Sequence, residues 1–423
     1  MIGTAIDKIV KSVCYIFKSM FIKRNPKWWA LGSWIGNAYT DNSKYLLETA
    51  IREIQDPEYR FYWVGNEKVR QFLPDDNRVI FLQLNSKESI PILLRCKYFF
   101  STQFPSADIC GYNIFHGGKI IFLDHGIPIK KIGAAVVGTK RKKPVDVGRL
   151  TGATRKFDYK IVSSPLHAEA EVCGYNYMGI TLTNSLRVGS PRNDYLLNCN
   201  NAEEIQRVKL KYSELFKFDP SKKVILYLPT FRRKIENTPT LFFDDYNEHK
   251  RQLKSILTRY NAVLIEKSHN RLVRRDVHAK QDDILREDEL VFISSMVDTQ
   301  ELLMMSDMMI SDYSGCVLDY LLLDRPMINY VIDYEEYKNH DAGLFYELED
   351  FAAGPTPRYF DQLLSDMEDF FKGKDQYREK RARNRERFLT YEHGKAGKNI
   401  CQICMGNQSF DEYRVTRNPK HTK

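Results

Sequence analysis

The chain has 423 residues, 43% hydrophobic and 28% charged, enough to bury a full core and long enough for two domains. Lys and Arg number 64 against 55 Asp and Glu, a net +9 that is too modest for a histone-like or tail-driven nucleic-acid binder. An aromatic content of 13% argues against disorder, 22 Gly and 16 Pro exclude collagen-like and low-complexity chains, and eight scattered Cys form no disulfide framework.

The chain opens on a basic amphipathic segment, residues 1–26. Ile6, Ile9, Val10, Val13, Phe17, Met20 and Phe21 recur at helical spacing among Lys8, Lys11, Lys18, Lys23, Arg24 and Lys27, and Pro26 ends the run. With Trp28 and Trp29 behind it, this segment reads as an in-plane membrane anchor at a cytoplasmic membrane surface. It is no secretory signal, because Lys11 and Lys18 interrupt any apolar core. No run of 18 apolar residues is present to span a bilayer.

The remainder alternates short apolar runs with helical periods, the mark of an α/β protein. Strands are expected at Arg60–Val64, Val79–Leu82, Tyr98–Ser101, Lys119–Leu123 and Tyr159–Ser163. A second set follows at Val224–Tyr227, Ala262–Lys267, Leu290–Ile293, Met308–Ser311 and Pro326–Tyr330. A helix over Ala202–Phe216 and the polar turn Lys217–Lys223 suggest one domain over 27–215 and another over 216–390, with 391–423 as a tail. Neither G-x-G-x-x-G nor a P-loop occurs, which argues against dinucleotide and P-loop sites. Cys401 and Cys404 form a CxxC with no second pair at zinc-ligand spacing, and no carboxylate cluster suited to Mg²⁺ stands out.

Polar residues just past strand ends carry the chemistry, because ligands of open α/β sheets bind there. The first group is Asp124-His125-Gly126-Ile127-Pro128-Ile129-Lys130-Lys131, directly after Ile120–Leu123. His125 is a general-base candidate, since an imidazole titrates near neutrality, and Lys130 adds positive charge. The second is Pro229-Thr230-Phe231-Arg232-Arg233-Lys234, with cations suited to phosphate. The third is Lys267-Ser268-His269, where Lys267 and His269 share one side of extended chain. The fourth is Ser311-Asp312-Tyr313-Ser314-Gly315, where a strand gives way to a helix. Asp312 suits a polyol hydroxyl or a capping role.

These residues resemble the CDP-glycerol glycerophosphotransferase family, the teichoic-acid primases and polymerases. The resemblance is carried by Val297–Pro355 with its Asp-Tyr-Ser block, His125–Lys130, Pro229–Arg232, Lys267–His269, Gly189–Leu196 and the opening segment Lys27–Leu46. Ile127, Asn270 and Gly315 depart from the residues usual there, Thr, Pro and Ser. The resemblance implies a glycosyltransferase-B-like fold, two Rossmann-like domains around a cleft. It implies His125 and His269 as the functional histidines and a donor site at Thr230, Arg232, Lys267, Ser311, Asp312 and Ser314. Lys130, Gly36 and Asn37 are expected on the acceptor side.

The implied reaction moves a polyol phosphate from CDP-glycerol or CDP-ribitol to a hydroxyl of a lipid-linked saccharide or growing polymer, releasing CMP, with no cofactor or metal required. By size the chain resembles single-addition primases. Two alternatives stay open: a nucleotide-sugar glycosyltransferase of the same fold, and a catalytically silent membrane scaffold. No RNP, KH or zinc pattern points to nucleic acid.

Overall fold

A computed structural model describes residues 2–136, 157–230, 232, 246–267, 284–293 and 297–415. The chain divides into two compact units, the first formed by 1–125, 139–195 and 391–423, the second by 126–138 and 196–390. This differs from the expected division in three ways. The helix Ala202–Phe216 belongs to the second unit, the loop after His125 crosses into it, and the expected tail folds with the first.

The first unit carries β1 (Asn25–Gly32), β2 (Arg60–Gly65), β3 (Val79–Gln83), β4 (Cys96–Ser101), β5 (Lys119–Phe122), β6 (Tyr159–Ile161) and β7 (Ser185–Leu186), in the order β3-β2-β1-β4-β5-β6-β7. All neighbours run parallel. Successive residues of β1 go to opposite faces. Trp29 and Leu31 pack with the helices Asp41–Glu53 and Ala396–Met405, while Ala30 packs beneath the other face with Tyr62, Phe99 and Ile120.

Trp29 is fully buried, with its ring 5.4–6.0 Å from those of Tyr59, Phe61, Tyr98 and Phe100. The Trp pair is therefore a central strand and not part of a membrane anchor. Pro26 near the strand's start explains why it did not read as one, although the missing N–H is tolerated there. Cys401 and Cys404 are buried in the same core.

The second unit carries β8 (Lys223–Leu228), β9 (Ala262–Lys267), β10 (Leu285–Glu287), β11 (Leu290–Ile293), β12 (Met308–Ser311) and β13 (Met327–Asn329). Their order is β10-β11-β9-β8-β12-β13, parallel except for β10. Ile225, Tyr227, Leu264, Ile310 and Ile328 pack against the helices Tyr246–Arg259 and Phe360–Phe371.

Both sheets reverse their strand order once. The switch falls between β1 and β4 in the first and between β8 and β12 in the second. At such a switch the connections leave in opposite directions and open a crevice at the carboxyl ends of the strands.

Candidate active site

In the first unit the switch point is built from the segments after β1, β4 and β5. Leu123 and Asp124 follow β5, and Asp124 takes a left-handed φ of 56°. Trp34, Ile35 and Asp41 after β1 are also left-handed, at φ 47°, 59° and 64°. Side-chain-bearing residues pay for that conformation, and such strain gathers where a site demands it. Asp108 anchors the turns. Its carboxylate accepts the backbone N–H groups of Ile35 (2.7 Å), Thr102 (2.9 Å) and Gln103 (2.7 Å). Burial pushes its pKa up to about 6 against those bonds.

His125 emerges on this platform with a side chain 41% exposed. Its Nδ1 lies 2.7 Å from Asp124 Oδ1, 3.5 Å from the Thr102 carbonyl and 3.4 Å from Gln103 Nε2, and its ring centroid is 5.6 Å from that of Trp34. The turn is clamped from below. Asn42 Nδ2 donates to the carbonyls of Leu123 and Asp124, and Arg192 Nη1 donates to the His125 carbonyl while pairing with Asp41 at 3.0 Å. Asp41 also accepts the Trp34 indole N–H at 3.1 Å. Arg192 belongs to the Gly189–Leu196 stretch, so that motif acts on the His125 turn.

Gly36 and Asn37 do not join this group. Gly36, at φ 72°, offers its carbonyl to Asn66 N, and Asn37 Oδ1 accepts Asn66 Nδ2 at 2.7 Å. Both lock the β1 turn onto the β2 turn. A Cβ on Gly36 would meet the Gly65 Cα at 3.1 Å. Lys130 lies in the second unit, where it bridges to Leu344 and its neighbours hydrogen-bond Gly343 and Phe345.

In the second unit, the segments after β8 and β12 meet. Thr230 N donates to Asp312 Oδ1 at 2.9 Å, and Arg232 Nη2 reaches Asp312 Oδ2 at 2.9 Å. Arg232 Nε pairs with Asp333 at 2.6 Å, and its guanidinium carbon lies 5.1 Å and 4.5 Å from the ring centroids of Tyr313 and Tyr337. Arg232 is 2% and Asp312 1% exposed. Arg232 is therefore not open to a diphosphate as expected, and of the two roles expected for Asp312 the capping one is seen, its carboxylate accepting Thr230 N and Tyr313 N. Arg232 and Asp312 neutralise one another and clasp the loops. Ser311 is likewise buried, its hydroxyl donating to the Leu228 carbonyl at 2.6 Å.

Among the described residues of the expected donor set, Ser314, whose Oγ accepts Cys316 N at 3.4 Å, and Lys267 at the end of β9 are half-buried. Thr230 Oγ1 is buried with no hydrogen-bond partner among the described residues. His269 lies outside the described residues.

Sequence reasoning missed Trp34, Asp41 and Arg192, whose roles depend on turns that no local pattern announces. It also missed a buried group behind Asp124. The ligand atoms of Asp124, His167 and Glu171 lie within 4.8 Å of one another, and Lys160 Nζ is 3.6 Å from Asp124 Oδ2 and 3.5 Å from His167 Nε2. His167 Nδ1 accepts Ser163 N–H at 3.1 Å, so in the neutral ring Nε2 carries the proton and has no lone pair for a metal. Burial holds the His167 pKa well below its usual value, with the Lys160 charge adding to the effect. These groups do not fit a metal site, since Lys160 already supplies the cation.

Residues 15–406 match the family model for CDP-Glycerol:Poly(glycerophosphate) glycerophosphotransferase. The teichoic acid glycerol-phosphate transferase of Staphylococcus aureus (strain NCTC 8325 / PS 47) is 24% identical over 412 residues, 95% of this chain and 99% of that protein. The teichoic acid poly(glycerol phosphate) polymerase of Bacillus subtilis (strain 168) is 26% identical over 85% of this chain, which spans 46% of that longer protein. The structure of the wall teichoic acid polymerase TagF superposes with a TM-score of 0.73 at 21% identity, covering 97% of this chain and 98% of the other, and the two share a fold. With a match running almost from end to end, the chain belongs to the CDP-glycerol:poly(glycerophosphate) glycerophosphotransferase family.

Proposed function

We propose that this enzyme transfers glycerol phosphate from CDP-glycerol to a hydroxyl of a lipid-linked saccharide or growing polymer, releasing CMP, within a glycosyltransferase-B-like architecture. The observation that carries the reading is His125. It is a half-exposed imidazole at the switch point of a parallel sheet, on a turn held in a left-handed conformation by a residue with a side chain, and it lies within the matched family span. In this mechanism the acceptor oxygen attacks the β-phosphorus of the donor, the P–O bond to CMP breaks, and His125 takes the acceptor's proton. Lys267, Ser314 and His269 hold the diphosphate, while the Arg232–Asp312 clasp keeps the second switch point in shape. Lys130 is assigned to the acceptor side.

The reaction is placed at a cytoplasmic membrane face, since a lipid-linked acceptor resides there. No helix among the described residues is long and apolar enough to cross a membrane. Peripheral attachment through the helix Ile2–Phe21 agrees with the exposed apolar residues along it.

The test is a thermal-shift panel with CDP-glycerol, CDP-ribitol, CMP, UDP-glucose and UDP-N-acetylglucosamine, followed by CMP release with a lipid-linked saccharide ending in glycerol phosphate. Stabilisation by a CDP-polyol and acceptor-dependent CMP release are expected, since a ligand of the native state raises its stability. Stabilisation by UDP-sugars alone would replace this reading with a glycosyltransferase.

A further inference from the structure

We propose that Asp124 is the positioning residue for His125, and that buried Lys160 is the built-in counter-charge that keeps Asp124 in place. This rests on His125 acting as the base. The left-handed turn folds the Asp124 carboxylate back over its successor, so that Oδ1 lies 2.7 Å from both His125 N and His125 Nδ1. The carbonyl of Thr102 at 3.5 Å is a second acceptor for Nδ1–H, against one donor-type neighbour, Gln103 Nε2 at 3.4 Å. Two acceptors favour the proton on Nδ1, which leaves Nε2 with the lone pair that receives the hydroxyl proton.

Behind Asp124 the second oxygen faces Lys160, whose side chain is fully buried. Lys160 Nζ donates to the Ile161 carbonyl at 2.8 Å and lies 5.3 Å from the Phe122 ring centroid. A fully buried amine is costly unless paired, and Asp124 is the carboxylate paired with it here. Glu171 stands on the far side, 3.6 Å from His167 Nε2. Burial pushes Glu171 well above the usual carboxylate range against the opposing Lys160 charge, with the neighbouring Asp124 carboxylate adding to the rise. Burial disfavours the Asp124 charge too, but His125 and Lys160 outweigh it and hold Asp124 well below the usual range. The groups facing Asp124 are thus His125, Lys160, His167 and Glu171, and the last three form a buried support beneath an exposed imidazole.

The decisive measurements are the ¹⁵N shifts of His125 in the full chain, assigned by loss in His125→Gln, and the kinetics of Asp124→Asn. A pyrrole-type Nδ1 and a pyridine-type Nε2 are expected above the titration of His125. Asp124→Asn should lower kcat at least about 10-fold and by no more than the roughly 10²–10⁴-fold that a general base contributes, with the CDP-glycerol thermal shift retained. Its acid limb should move to lower pH, because the carboxylate favours the imidazolium. His125→Ala is assayed alongside. If it stays active, the base assignment itself fails. If it is inactive while Asp124→Asn keeps full rate and an unchanged pH profile, the positioning role is overturned. The opposite tautomer in the unmodified protein overturns it even where Asp124→Asn does not fold.

Discussion

The carbonyl oxygen of Ile127 sits so close over Gly315 that a Cβ there would lie 2.7 Å from it. Gly315 has φ −59° and ψ −22°, which any residue adopts, so the glycine is required for space and not for conformation. Ile127 and Gly315, two of the three positions read from the sequence as departures from the family pattern, are therefore in contact. The loop after His125 is seated on the start of the helix Cys316–Tyr320. Gly315→Ala should force this loop outward and cost about 1–3 kcal/mol, as overpacking does. Urea denaturation reads the loss directly, and an unchanged midpoint would mean the loop yields freely.

The Arg232–Asp312 pair makes a second, separable prediction. Asp312→Ala leaves a buried guanidinium with Asp333 as its remaining carboxylate and strips the acceptor from Thr230 N. Removing one partner of a buried pair typically costs about 3–5 kcal/mol, and Asp333 should hold the loss near the lower end. The loss should be present without any donor added. If stability is unaffected while CDP-glycerol binding disappears, Asp312 contacts the donor and the clasp is unimportant.

Most strands were legible because a buried parallel strand writes an uninterrupted apolar run, as in Val224–Leu228 or Ala262–Ile265. β1 was not, since Pro26 and a tryptophan pair beside a basic helix match an interfacial anchor equally well. β7 and β10 are too short to carry a pattern. The His125 motif is visible as a strand end, whereas nothing local marks its neighbour Asp124 for a role. That role needs Lys160, His167 and Glu171, which come from β6 and the helix Pro165–Tyr175. A lysine in the middle of Tyr159–Ile161 reads as the solvent face of a strand until a carboxylate is found beside it. Arg232 failed for the complementary reason: a basic loop signals phosphate only while its cations lack internal partners.

Buried carboxyls set a pH dependence with a definite sign. Glu392, buried against Ser163, Ser190 and Asn193, is pushed up to about 7 by loss of solvent, and Glu266 at the end of β9 likewise to about 7. Both folded values lie above the ordinary 4.5. Their contribution is therefore full below pH about 4.5 and is lost as pH rises through about 7. At pH 8 each ionised carboxyl costs up to about 3 kcal/mol relative to pH 4.5. Denaturant midpoints should fall from pH 5 to pH 8, and Glu392→Gln should flatten the fall. A wild-type stability that rises across that range would contradict both assignments.

The helix Ile2–Phe21 is seated with its faces reversed from those of an ordinary packed helix. Ser12 and Ser19 are buried towards the first unit, with Ser12 Oγ accepting Asn113 N and Tyr15 edge-on to Tyr112. Val10, Val13, Phe17, Met20 and Phe21 form one outward stripe, each between 55% and 75% exposed. Water does not favour that arrangement, whereas a lipid interface does, and Lys11, Lys18 and Lys23 along the same segment suit anionic headgroups. Burying side chains such as Phe17 and Met20 in an apolar phase contributes about 1.5–3 kcal/mol each. Phe17→Glu with Met20→Glu should therefore weaken binding to phosphatidylglycerol-containing vesicles at least tenfold in a sedimentation assay. Thermal stability should hold, because neither side chain is buried in the protein. Equal sedimentation of the double variant would leave the stripe to some other partner and remove the helix from the membrane-binding account.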